Sequence, residues 1–261
     1  MARLCTLFSG SSGNCTYIKD GDCGLLIDAG ASFKNINDAL LKAGGSTESL
    51  CGVFITHEHT DHVKGLKTLL KKTGIPLYAS AKTLSALEKA DMIPENTAVF
   101  EAASATAAGD FYIERFATSH DCEGSSGYGV TLKDGRKITV CTDLGIVTDS
   151  VRAALSGSSA VVFESNHDIE MLRRGPYPPA LKMRILSEKG HLSNAACAAE
   201  LPALLQNGTS RFILAHLSLH NNLPALAANC ANSALAAAGA VKNSDYILVT
   251  AKPCGNPVIS L

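Results

Sequence analysis

The chain has 261 residues, 46% of them hydrophobic and 18% charged, and a formal net charge of -1. This balance excludes a disordered polymer and a protein that holds nucleic acid by overall charge, so any such contact must come from a local patch. Nine cysteines without a Cys-x-x-Cys pair, no secretory run behind Met1-Ala2-Arg3 and no apolar stretch of membrane-spanning length point to reduced thiols in a cytoplasmic protein that meets no membrane.

Taken in order, Arg3 to Phe8 reads as a strand. The loop Ser9-Gly10-Ser11-Ser12-Gly13-Asn14 is on composition equally a phosphate-holding loop or a plain connection. Thr16 to Lys19 and Leu25 to Ile27 pair across Asp20-Gly21 and end at Asp28, which reads as a structural carboxylate. Phe33 to Ala43 is helix-like, stopped by Gly44-Gly45. The β-branched run Val53-Phe54-Ile55-Thr56 then delivers His57-Glu58-His59-Thr60-Asp61-His62 at the carboxyl end of a buried strand, ahead of the periodic stretch Val63, Leu66, Leu69, Leu70. Lys64, Lys67, Lys71 and Lys72 on that helix form either a solvated face or a phosphate contact.

Spacing gives the His57 cluster its chemistry. Two residues apart in an extended loop, His57 and His59 face the same way and can converge on one ion. Asp61 and His62 lie where the chain turns into the helix and face a second position. Clustered imidazoles and carboxylates with room for open coordination are what a catalytic metal needs.

Further strands fall at Ile75 to Ala79, at Phe111 to Ala117 before Thr118-Ser119-His120-Asp121, and at Tyr128 to Leu132 and Lys137 to Thr142 before Asp143. Thr83 to Ala90 reads as a helix. Ala160 to Phe163 leads into Glu164-Ser165-Asn166-His167-Asp168. The segment Met171 to Pro179, with Arg173, Arg174 and the following Lys182 and Arg184, is the most basic irregular stretch: an arm for a phosphate backbone or partner subunit, or an ordinary surface loop. Ser193 caps an Ala-rich helix, Phe212 to Ala215 delivers His216, Pro224 opens another helix and Tyr246 to Thr250 closes the sheet.

The spelling His57-x-His59-x-Asp61-His62 resembles the signature of the metallo-β-lactamase-fold hydrolases, and the likeness extends along nearly the whole chain. The redox-active flavodiiron branch has Glu where this chain has His59, which favours hydrolysis. Two successive strand-rich and helix-bearing halves suggest an α/β four-layer αββα sandwich with an internal pseudo-repeat, here one domain over residues 1–261, and the resemblance implies the same fold. It also implies a first ion on His57, His59 and His120, a second on Asp61, His62 and His216, and a bridging Asp143. Two divalent cations, zinc or manganese with iron also suited, are the expected cofactors, and Asp61 orients the attacking hydroxide.

Gly190-His191-Leu192-Ser193 is similar to the glycine-histidine motif of the phosphodiesterase members, including tRNA 3′-processing ribonuclease Z, which implies that His191 assists the leaving group and Glu164 orients it. Together with Ser9 to Asn14, Asn166-His167-Asp168 and His216 to Asn222, it resembles the YycJ-like (WalJ) branch of DNA exonucleases. The chain departs from that branch at Leu219-His220, where an Arg and an acidic residue are expected. The implied function is a dinuclear phosphodiesterase acting on nucleic acid, DNA before RNA, with a homodimer left open. A thioesterase or lactonase of the same fold, and a metal-stabilised interaction protein, are the alternatives.

Overall fold

Strand β4 (Leu50–Ile55) shows how alternation builds the layers. Phe54 points into a core with Leu25, Ile27, Val130, Val140 and Val162, while Val53 and Ile55 point the other way, into a core with Ile36, Leu40, Leu66, Leu69 and Leu70. Strand β11 (Ala160–Glu164) divides likewise: Val162 joins the first core, and Val161 and Phe163 join a third with Val151, Leu201, Leu204, Ala227 and Leu235. Three apolar interfaces separate four layers, because side chains alternate along a strand and a helix presents one apolar stripe. The structure is a computed structural model, and it describes residues 2–261.

Among the described residues each sheet has seven strands. In the first, β1 (Arg3–Phe8), β2 (Cys15–Asp20) and β3 (Cys23–Ile27) run antiparallel, and β4, β5 (Leu77–Ala79) and β6 (Val99–Glu101) continue parallel to β3. In the second, β7 (Thr106–Ala108), β8 (Phe111–Ala117), β9 (Ser126–Thr131) and β10 (Lys137–Cys141) run antiparallel. The strands β11, β12 (Arg211–Ala215) and β13 (Ile247–Thr250) then continue parallel to β10. The two halves thus repeat one plan, and the last strand, β14 (Ile259–Ser260), returns to pair with β1.

Helices α1 (Phe33–Lys42), α3 (Leu66–Thr73) and α4 (Ala81–Lys89) cover the first sheet. Helices α5 (Asp149–Leu155), α8 (Asn194–Gln206) and α9 (Pro224–Ala237) cover the second. The helix expected to run on from Val63 is two pieces, a single turn α2 (Thr60–Val63) and α3, parted at Gly65, whose N–H donates to Ala29 O. The basic stretch expected to be irregular is helical. It forms α6 (Ile169–Arg174), capped by Asp168, then a short turn and α7 (Pro179–Ile185), with proline at its first position where no N–H is needed. No helix among the described residues is long and apolar enough to cross a membrane.

Candidate metal centre

Strands β3, β4, β8, β10, β11 and β12 all release their functional residues from their carboxyl ends, on one rim of the sandwich. Three of these residues, Asp28 (φ 65°), Asp143 (φ 59°) and His216 (φ 55°), have left-handed backbones just past strand ends. Such conformations cost about 1–3 kcal/mol where a side chain is present and persist only when the surroundings hold them. At His216 the holding is visible: its N–H donates to Ser9 Oγ (2.8 Å) and its carbonyl accepts from Asn166 Nδ2 (2.8 Å).

Two sets of donor atoms converge. His57 Nε2 lies 3.1 Å from His59 Nδ1, which lies 3.3 Å from His120 Nε2. Asp61 Oδ2 lies 3.5 Å from both His62 Nε2 and His216 Nε2. Zinc at about 2.0–2.1 Å from tetrahedral donors holds them about 3.3–3.4 Å apart, so both sets have the span of a metal's ligand shell. Asp143 stands between them, with Oδ2 at 3.3 Å from His62 Nε2 and Oδ1 at 4.0 Å from His120 Nε2. Asp143 Oδ2 and His216 Nε2 are buried without a hydrogen-bond partner among the described residues, which a cation would supply.

Electrostatics point the same way. Burial and the neighbouring imidazoles push His57 well below its ordinary value, so it stands neutral, the form that binds metal. Burial would do the same to His216, but Asp143, Asp61 and Glu164 outweigh it and raise that ring to about 10. A buried group of carboxylates that draws a proton onto an imidazole is a site that favours positive charge.

The supporting contacts fix the rings. Asp28 accepts from the Thr56 N–H (2.8 Å) through Oδ1 and lies 2.7 Å from His62 Nδ1 through Oδ2, so it braces the His57 loop without facing the donors. His120 Nδ1 faces the Gly190 carbonyl at 3.1 Å. Glu164 is fully buried; Oε1 lies 2.8 Å from both His191 Nδ1 and His216 Nδ1, and Oε2 accepts from the Leu144 and Leu192 N–H groups. Burial opposes its ionisation, yet His191 and His216 hold it down at about 2. Glu164 and His191 also lie within ligand-like reach of Asp143 and His216. Both its oxygens are already engaged by protein groups, however, and His191 Nε2 has no hydrogen-bond partner among the described residues.

All nine residues singled out as ligands or catalytic groups gather at this rim. Asp121 divides its contacts: Oδ1 lies 3.2 Å from His120 Nε2 and 3.8 Å from His59 Nε2, while Oδ2 pairs with Arg184. Arg173 and Arg174 pair with Glu170, and Lys67 with Asp91, away from the rim. The Ser9 to Asn14 loop buttresses the site. Besides the Ser9 contact, Asn14 Nδ2 donates to Asp61 Oδ2 (3.1 Å). Loop composition carried no sign of that role. Gly30 lets these segments meet, since a Cβ there would fall 1.7 Å from Asp61 O.

Comparison with known proteins agrees with this architecture. Residues 24–217 match the family described as Beta-lactamase superfamily domain. The chain is 39% identical over 223 residues to exodeoxyribonuclease YycJ of Bacillus anthracis, covering 85% of this chain and 84% of that protein. It is 39% identical over 225 residues to exodeoxyribonuclease WalJ of Streptococcus pneumoniae, covering 85% and 83%. Among solved structures, the metallo-β-lactamase fold protein YhfI from Bacillus subtilis superposes with a TM-score of 0.73 at 16% identity, covering 99% of this chain and 98% of that one. That last likeness speaks for the fold alone.

Proposed function

The chain belongs to the β-lactamase superfamily, in the branch of YycJ and WalJ, and is a metal-dependent hydrolase; from that premise we propose that it cleaves phosphodiester bonds of nucleic acid, DNA before RNA, from strand ends. The proposal includes two cations, zinc or manganese, held by His57, His59 and His120 on one side and Asp61, His62 and His216 on the other, with Asp143 shared. It also takes residues 1–261 as one domain. When bound, the cations supply an acidified water and neutralise charge building on the phosphoryl oxygens.

The chain's own residues do the rest. Asp61, partly exposed beside the donors, orients the attacking water. His191 presents Nε2 to the departing oxygen while Glu164 holds Nδ1. This wired histidine is the observation that carries the reading, because a nucleic-acid alkoxide is a poor leaving group and needs a proton, whereas a thiolate leaves without one.

The test is to incubate the pure protein, with zinc or manganese, with end-labelled single- and double-stranded DNA and RNA, and in parallel with S-lactoylglutathione and a lactone. A mononucleotide ladder growing from one DNA end is the expected result. Turnover confined to the thioester or lactone would overturn the reading.

A further inference from the structure

The metal rim opens into a pocket of about 240 Å³. This is below the roughly 300–1,000 Å³ that encloses a drug-sized ligand, so it takes one terminal unit of a chain rather than a whole oligonucleotide. Its floor is the donor cluster, and one wall is the α6–α7 segment, through Tyr177, Leu181, Arg184 and Ile185. Among the lining residues, Arg184 alone carries a fixed positive charge.

Arg184 is anchored. Its Nε and Nη2 both reach Asp121 Oδ2, while Asp121 Oδ1 lies 3.2 Å from His120 Nε2, so one carboxylate separates the guanidinium from the donor atoms. Nη1 has no hydrogen-bond partner among the described residues, and the side chain is half exposed. A guanidinium fixed in this way keeps its free N–H groups in a planar array that matches phosphate oxygens. Standing one carboxylate away from the cluster, it is displaced from the position where a reacting phosphate meets the metals, towards the next one along a strand.

Tyr177 supplies a second element. Its half-buried ring lines the same pocket and meets the His220 ring edge-on, with centroids 5.8 Å apart at 65°. Aromatic faces hold nucleobases by stacking whatever the sequence.

Resting on the phosphodiesterase reading above, we infer that the α6–α7 wall is the subsite for the nucleotide next to the reacting phosphate, with Arg184 taking its phosphate and Tyr177 stacking its base. The site thereby recognises a polymer end rather than an isolated diester.

The test compares Arg184→Ala, Arg184→Lys and Tyr177→Leu with the parent protein, on a DNA oligonucleotide and on bis(p-nitrophenyl) phosphate, with metal content measured throughout. For Arg184→Ala the loss in kcat/KM on the oligonucleotide should exceed the loss on the small diester at least tenfold, and the slope of log kcat/KM against log salt should flatten by about 0.7–0.9, one phosphate contact. Arg184→Lys should recover the salt slope. Tyr177→Leu should raise the oligonucleotide KM at an unchanged slope. Equal losses on the two substrates, an unchanged salt slope, or loss of metal from Arg184→Ala would each overturn the inference. A parent protein that cleaves no oligonucleotide would instead overturn the function on which it rests.

Discussion

Glu164 Oε1 lies 2.8 Å from two imidazoles, to which the proposed function gives different tasks, the His191 ring serving the leaving group and the His216 ring the cations. His191→Ala should therefore lose about 10²- to 10⁴-fold in rate on nucleic acid, far less on bis(p-nitrophenyl) phosphate, and keep its metals. Glu164→Gln should behave differently: it loosens His216 as well, so metal affinity should drop by about 10–100-fold alongside the same substrate selectivity. Elemental analysis of the two variants separates these outcomes, and full metal retention in Glu164→Gln would return Glu164 to serving His191 alone. The pairing of Glu164 with His191 is legible only through the resemblance to the phosphodiesterase members, in which a glutamate orients the histidine. Nothing in the sequence reveals that a second ring, 52 positions further on, leans on the same oxygen.

At the level of elements, legibility follows periodicity. Strands β4, β10 and β11 end at or just past their β-branched residues Val53 and Ile55, Ile138 to Val140, and Val161 and Val162. The α6–α7 segment is harder to read, because only Leu172 and Ile185 of its helical residues are buried, too few to mark an apolar stripe. Two short helices among prolines and arginines look like a loop until their burial is seen. The close meeting of loops is equally silent. Gly30→Ala would push a methyl into the Asp61 carbonyl and the Asn14 N–H, both backbone atoms that side-chain rotation cannot move. We expect that variant to lose metal and turnover together. By contrast, Gly21→Ala meets nothing within 4 Å, and only its left-handed backbone, at φ +57°, resists. It should keep its metals and lose only about 1 kcal/mol, measurable as a small drop in melting temperature.

For the whole molecule, four layers could be anticipated because strand and helix periods differ. The short edge strands β6, β7 and β14 could not, since two or three residues hold no pattern. On the proposed ligand assignment, layering also sets what the metals would do for stability. Each donor set draws on both halves: His57 and His59 with His120, and Asp61 and His62 with His216. An ion there ties sheet to sheet. At a hundredfold excess over Kd each independent ion adds about 2.7 kcal/mol, which at about 2–4 °C per kcal/mol is about 5–10 °C in Tm. Stripping metal with a chelator should lower the melting temperature by that order, and re-addition should restore it. An unchanged Tm after verified metal removal would contradict the cross-linking role.

The same division of donors sets when the protein can act at all. A chain emerging from the ribosome carries His57, His59, Asp61 and His62 long before His216 appears, and no donor set is complete until residues from the second sheet have folded against the first. With the ligands proposed above, neither a nascent chain nor an amino-terminal fragment left by proteolysis could assemble both ion sites. On the proposed assignment, hydrolytic power therefore arrives only after the second sheet has folded onto the first.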